Sequence, residues 1–387
     1  MIFRAIRTLP AALALLASAV LPGLSHAQGE PIRIGAVVSA TGPAGFVGDP
    51  QRKTLEVMVK RVNEAGGLLG RKIELTVYDD QSDPNSANTF AKRLLESDKV
   101  DVLLGGTISP AAMAMAPHAE RLGVPYVSTG AAQALVDPVR KWVFRVTPSD
   151  RLQAQRMLQD VKDRGFSRIA ILSESSGFGQ SGRKEILSVA ESMGLQVLGD
   201  ETYGPRDSDV VPQLTKLRGQ KDIQALIFFC GPGPAGAMTM KNYTQLSMTQ
   251  PVYMPSAVLS PEFIRAGGAA TEGVRIPAQP FVVPDAIPDG DPQKKTALDY
   301  HRVYRDEYKV PAMPFGGPTA DAFNIAVDAV KRAGSTDKAK VRDAIEATTG
   351  FVGLMGIYNI TSADHNGLRV DSLRILEVRG GRFALTK

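Results

Sequence analysis

Short apolar runs alternate along the chain with longer stretches in which apolar residues recur at helical spacing. Residues 32–38 form a β-branched run that reads as a strand. Leu55, Met58, Val59 and Val62 then fall at i, i+3, i+4 and i+7, one face of a helix that ends at Gly66 and Gly67. The alternation continues with strand 73–78, helix 85–96, strand 102–104, a helix opening at Ser109 and Pro110, and strand 124–127. A second series follows Arg145: helix 152–162, strand 169–172, helix 182–193, strand 196–198, helix 210–217, strand 226–229, helix 235–246 and strand 252–254. Alternation of this kind builds parallel sheets covered by helices on both faces. The expected fold class is α/β, with two doubly wound Rossmann-like lobes.

The tail has another rhythm. After a proline-rich passage over 277–292, helical patterns occupy 295–308, 318–333 and 337–347 with no strands between them, and strand-like runs follow at 357–360 and 373–378. Helices without strands of their own must cover sheet laid down earlier, so the chain is expected to recross between the lobes through a multi-strand hinge. Lobe one is placed at 31–146 plus 280–371, and lobe two at 147–279 plus 372–387.

The N-terminus changes the setting. Arg4 and Arg7 precede an apolar stretch from Leu9 to Leu21 and the small-residue exit Ser25-His26-Ala27, the layout of a cleaved secretory signal peptide over residues 1–27. The bland alternative, an anchor helix, is disfavoured by Pro22 and Gly23, and no later segment offers about 18 uninterrupted apolar residues. A mature chain of about 360 residues exceeds what one core sustains, which agrees with two domains. The lone Cys230 rules out an internal disulfide and lies far from the cleavage region, so it provides no lipid anchor there. Loss of Arg4 and Arg7 takes the net charge from +5 to +3. Both signs of charge are interspersed, with no basic run among aromatics, so nucleic acid is excluded as a partner.

Candidate chemistry is sparse. Gly177, Gly179 and Gly182 match a dinucleotide fingerprint ahead of a helix, with Asp200 further on, but Ser173-Glu174-Ser175-Ser176 separates the strand from the first glycine, where the fingerprint needs its tight turn. A second match, Gly231, Gly233 and Gly236, carries Pro232 and Pro234, which have no N–H for a pyrophosphate. His118, His301 and His365 stand far apart, so neither a metal site nor a general base is expected, and Cys230 in an apolar run reads as a packed small hydrophobe. No cofactor is implied. The arrangement that makes physical sense is an anion cradle. In Gly105-Gly106-Thr107-Ile108-Ser109-Pro110 the glycines let a ligand approach the backbone, Ser109 is expected to cap the next helix, and Pro110 suits its first turn. Ser128-Thr129-Gly130-Ala131-Ala132, at the end of the next strand, adds donors. Anions favour helix N-termini, and ligands of open α/β sheets sit at such strand ends.

Several segments carry a family resemblance: Asn63-Glu64-Ala65-Gly66-Gly67-Leu68-Leu69-Gly70-Arg71-Lys72-Ile73-Glu74-Leu75, Tyr78-Asp79-Asp80-Gln81-Ser82-Asp83-Pro84, the opening Ser39-Ala40-Thr41-Gly42-Pro43, Gly123-Val124-Pro125, Arg145 and Phe178-Gly179. In these the chain resembles the branched-chain amino-acid (leucine/isoleucine/valine-binding) type of periplasmic binding protein over nearly all of its mature length, more weakly after Gly267. The resemblance implies two lobes joined by three crossovers, a cleft that closes on its ligand, no catalysis, a periplasmic location, and delivery to the membrane permease of an ABC transporter. A monomer is expected. It also implies that Thr107, Ile108 and Ser109, with Gly130, Ala131 and Ala132, hold a ligand carboxylate. Phe46, Phe178, Gly231 and Ser256 would face the same cleft.

Two departures bear on the ligand. Amino-acid binders of this type usually place an acid near the position of Ser256, to pair with the ligand ammonium, and often a tyrosine near Gly231; neither is present. A buried ammonium without a counter-charge costs several kcal/mol. The sequence therefore favours a small carboxylate without an α-ammonium, an aromatic or short aliphatic acid. The alternative is an amino acid whose ammonium is served by another acid, Asp321 or Glu174. Two further alternatives are a ligand-sensing subunit for a membrane receptor and an exported NAD-dependent enzyme.

Overall fold

The computed structural model describes residues 1–2, 29–231 and 233–386; apart from Met1 and Ile2, the expected leader lies outside the described residues. Two sheets organise the chain. The first contains β1 (Ile32–Val38), β2 (Ile73–Asp79), β3 (Val102–Gly105), β4 (Tyr126–Ser128) and β5 (Val143–Arg145), all parallel, in the order β2-β1-β3-β4-β5. Helices α1 (Gly45–Glu64), α2 (Pro84–Glu96) and α3 (Ser109–Leu122) make its crossovers. Because both faces are covered, β1 is a continuous buried run rather than an alternating one.

The second sheet takes β6 (Arg168–Glu174), β7 (Gln196–Tyr203), β8 (Ala225–Phe229), β9 (Val252–Tyr253) and β10 (Arg275–Ala278) as parallel strands. Its helices are α4 (Asp150–Asp163), α5 (Gly177–Met193), α6 (Val211–Gly219), α7 (Pro234–Gln245) and α8 (Pro261–Gly267). The chain then leaves through α9 (Gln293–Tyr308), α10 (Gly317–Ala333) and α11 (Lys338–Glu346), followed by the small hairpin of β11 (Phe351–Val352) and β12 (Ile357–Tyr358). It returns as β13 (Arg374–Arg379) and β14 (Arg382–Leu385), which add antiparallel to give the order β14-β13-β10-β9-β8-β6-β7.

The tail helices cover the first sheet. Ala320, Phe323 and Ile325 of α10 are buried in one core with Ile32, Ile34, Leu55 and Leu104, so the chain crosses between the two sheets after β5, after β10 and before β13. The succession read from the sequence holds, with local differences. Helix α5 begins at Gly177, five residues early, because the Ser176 side chain accepts from the Gly179 N–H and caps it. Strand β10 contains Pro277, which argues against a strand from sequence alone. It pairs with β9 only at Arg275↔Tyr253, so most of it has a single ladder, where proline is tolerated.

Helix α4, the first element after the first crossing, carries a buried acid. Asp150 is 1% exposed, its Oδ2 accepts from Ser181 Oγ at 2.7 Å, and its Oδ1 has no partner among the described residues. Burial raises its carboxyl to about 6; Ser181 and Arg145 pull it down and Glu185 pushes it up. An unfolded aspartate titrates near 3.9, so between about pH 4 and 6 the folded chain holds a proton that the unfolded chain has lost. The associated stability, on the order of 2 kcal/mol, is fully present below about pH 4 and lost as pH rises through 6. Asp150→Asn is expected to flatten this part of the pH dependence in urea-midpoint measurements on ligand-free protein from pH 4.5 to 7.5; an unchanged slope would assign it elsewhere.

Candidate functional site

In each sheet the strand order reverses at one point, between β1 and β3 and between β6 and β8, and open α/β sheets bind ligands at the carboxyl ends of such switch points. Here the two switch points share one cavity of about 340 Å³. Of the residues expected from sequence, Thr107, Ile108, Ser109, Ala131, Phe178, Gly231 and Ser256 line it; Phe46, Gly130, Ala132 and Asp321 do not.

The first-lobe wall is built by the β3–α3 turn. Gly105 and Gly106 adopt φ of +100° and +77°, and a Cβ on either would collide with Val37 or Tyr126. Their task is to turn the chain tightly over β1, which corrects the expectation that they open the backbone to a ligand. Thr107 Oγ1 accepts from the Ser39 N–H at 2.9 Å and donates to Gln51 Oε1 at 2.6 Å, and the Gln51 amide hydrogens have no partner among the described residues. Ser109 is not the helix cap: Ile108 holds that position without a side-chain bond, and Ser109 Oγ accepts from the Ala132 N–H at 3.1 Å. The N–H groups of Ser109 and Ala131 have no hydrogen-bond partner among the described residues. They stand at the positive end of α3, the environment a carboxylate prefers. Arg145, 2% exposed, fixes the adjacent loop by donating Nη1 to Ala132 O at 2.9 Å and Ala131 O at 3.3 Å.

Gly130 and Ala132 support this wall from behind. A Cβ at Gly130 would stand 2.8 Å from the Ala112 methyl, so the glycine is a packing requirement. Phe46 likewise lies behind the lining, edge-on to Phe315 at 5.6 Å, and Phe315 supplies the cavity surface.

The second-lobe wall carries the charge. Glu174 ends β6, is 8% exposed, and accepts the Gly231 N–H on Oε2 at 3.2 Å; its Oε1 makes no protein hydrogen bond among the described residues. Any side chain at Gly231 would displace this carboxylate, since a Cβ there stands 2.6 Å from Oε2. Glu174 is the single charged side chain among the lining residues. Ser256 donates its N–H and Oγ to Gln153 Oε1, both at 2.9 Å. Phe178, second in α5, packs on Phe229 with ring centres 4.8 Å apart. Gln51, Gln153, Gln279 and Phe315 line the cavity too and escaped sequence reasoning, because neutral amides carry no pattern of their own.

Asp321 is a structural acid. It is fully buried in α10 and accepts from the N–H groups of Leu354 and Met355, each at 2.7 Å, and from Tyr358 Oη at 2.9 Å. Two of the fingerprint glycines have structural reasons: all three lie in α5, where a Cβ on Gly179 would collide with Glu174 O and one on Gly182 with the Phe229 ring, while a Cβ on Gly177 would meet nothing. Burial raises the Cys230 thiol to about 12, as suits a packed residue. Among the described residues no helix is long and apolar enough to cross a membrane.

Comparison with known proteins agrees with this architecture. Residues 31–382 match the family model described as periplasmic binding protein. The leucine-, isoleucine-, valine-, threonine- and alanine-binding protein of Pseudomonas aeruginosa is 25% identical over 322 residues, 83% of each chain. An extracellular ligand-binding receptor from Rhodopseudomonas palustris HaA2 superposes with a TM-score of 0.84 at 27% identity, covering 92% of this chain and 99% of that one. A leucine-binding protein of Thermotoga maritima gives 0.79 at 25% identity, covering 92% and 98%. Proteins of this family bind small molecules for transporters and are not enzymes. With two sheets, a shared cavity at their switch points and a match along nearly all of the described chain, this protein belongs to the periplasmic binding protein family and has its type I fold.

Proposed function

We propose that this protein is the periplasmic substrate-binding component of an ABC uptake transporter and that its ligand is an α-amino acid held at both charged ends. The carboxylate meets the N–H groups of Ser109 and Ala131 at the start of α3, and the ammonium meets Glu174. The observation that carries this reading is that Glu174 is the one charged side chain lining the cavity. A carboxylate without an ammonium, the ligand class favoured from Ser256 and Gly231, would bring an anion to a buried acid with no cation lining the cavity to offset either, at a cost of several kcal/mol. The acid missing beside Ser256 has its counterpart at the end of β6, and Gly231 makes room for it. The name of the Pseudomonas relative, which records five α-amino acids, supports the same class.

Calorimetric titration of ligand-stripped protein tests the reading. L-Amino acids are expected to bind at least tenfold more tightly than the matching acids that lack the amine, such as 4-methylpentanoate for leucine and glutaramate for glutamine. Tighter binding of the acids, aromatic acids included, would return the ligand to the carboxylate-only class.

A further inference from the structure

The second-lobe edge of the cavity runs along β6, β8, β9 and β10, adjacent strands in the sheet. Glu174 stands at one end of this edge and Gln279, the residue after β10, at the other, three strand spacings or about 14 Å away. Ser256, following β9, lies between them and is held by Gln153. Polar side chains therefore stand at both ends and the middle of this edge, with Gly231, Ala257 and Leu259 beside them, and charge is at one end only.

The two amides are oriented by what they do and do not touch. A backbone N–H can only donate, so the Ser256 N–H requires the oxygen of Gln153 to face it, and the Gln153 NH₂ group points elsewhere. That NH₂ group has no protein partner among the described residues and is not sealed from solvent. Gln153 is 3% exposed and lines the cavity, so the cavity is what its NH₂ group meets. Gln279 is 4% exposed, also lines the cavity, and makes no side-chain hydrogen bond to the described residues. Buried amides are ordinarily satisfied. An aliphatic ligand group laid against these two would strip their water and leave the donors unpaired. A carbonyl oxygen would satisfy them. A second carboxylate is disfavoured, because no Lys or Arg lines the cavity to neutralise it.

We propose that the ligand is an amino acid whose side chain carries a neutral hydrogen-bond acceptor, an amide or carbonyl oxygen, received by the amide groups of Gln153 and Gln279. This rests on the amino-acid reading, because the ammonium at Glu174 is what directs the side chain along the edge. Gln279 lies on the second crossing between the sheets, so a ligand bonded there bridges the walls and the hinge together.

Calorimetry with L-glutamine, L-norleucine and L-glutamate on the mature wild-type protein tests it. The expected result is a preference for L-glutamine over L-norleucine of at least tenfold, with L-glutamate weaker than L-glutamine. In Gln279→Leu, which breaks no side-chain hydrogen bond among the described residues, the preference for L-glutamine over L-norleucine should shrink to threefold or less; Gln153→Met should shrink it likewise. L-Norleucine bound as tightly as L-glutamine, L-glutamate bound as tightly, or a preference that persists in both variants overturns the proposal and leaves the amino-acid reading standing. Failure of all three ligands to bind overturns both. Should the variants not fold, the wild-type ratios decide.

Discussion

Replacing Glu174 with glutamine is expected to weaken amino-acid binding about 100-fold, or roughly 2.7 kcal/mol, while the ligand-free protein unfolds near its wild-type midpoint. The substitution keeps size and shape, and a glutamine oxygen still accepts the Gly231 N–H that Glu174 Oε2 now receives. What it removes is the charge opposite the ligand ammonium, and an ammonium stranded in a desolvated site costs about 3–5 kcal/mol, part of which water recovers. The same substitution should improve binding of the deaminated acid, since the anion no longer faces a second anion. This opposite movement of two ligands under one isosteric change separates a charge effect from damage to the wall. Equal affinity of the variant and wild type for amino acids would remove Glu174 from ligand recognition.

Glu174 also marks where sequence reasoning reached and where it stopped. The fold was legible because covered parallel strands appear as unbroken apolar runs, as in 32–38 and 226–229, and the tail helices could be assigned to an earlier sheet because they lack strands of their own. The tight turn from β3 into α3 was legible because a glycine pair leading into Ser109-Pro110 has few structural meanings. The acid is expected near Ser256, at the end of β9, with Glu174 and Asp321 as the alternatives; Glu174, the acid that lines the cavity, stands at the end of β6, two strands away in the sheet. Strand order is not visible along a chain: β8 lies between β6 and β9, and only this order brings Glu174 beside Gly231. The glycine read as a missing tyrosine is the space the carboxylate occupies.

Finer errors have equally local causes. Ser109 reads as a cap from sequence, a reading that turns on a single residue of register; with Ile108 at the cap, its hydroxyl instead ties α3 to the Ala132 loop. Phe46 and Phe315 are both aromatic, half-buried and adjacent in space, and only Phe315 lines the cavity, a difference no sequence pattern marks. The lobe limits at 146/147, 279/280 and 371/372 are proposed as the hinge, since each falls between an element of one sheet's core and an element of the other's. Closure about these strands would bring the Glu174 wall toward the Ser109 wall, and a zwitterion favours the closed form because its two charges are held by different lobes.

Asp321→Ala is expected to destabilise the ligand-free protein by roughly 3–5 kcal/mol, with little change in the affinity of the folded fraction for its ligand. Its two oxygens receive three donors, the N–H groups of Leu354 and Met355 and the Tyr358 hydroxyl, in a fully buried position. Removing the acceptor leaves those donors unpaired at about 1–3 kcal/mol each, less what an entering water restores. The hydroxyl of Tyr358 has one hydrogen and two acceptors in reach, Asp321 Oδ2 at 2.9 Å and Val146 O at 2.8 Å. Burial raises the Asp321 carboxyl to about 6, while the donors Leu354, Met355 and Tyr358 pull it down. Through Tyr358 the acid links α10 to β12 and to the segment after β5, where the chain first leaves the lobe, so the loss falls on the base of the hinge. Urea unfolding of the variant reads the stability, and titration at low urea reads the affinity. A lower midpoint with an unchanged dissociation constant assigns Asp321 to the scaffold, whereas a large loss of affinity at an unchanged midpoint would restore it to the ligand.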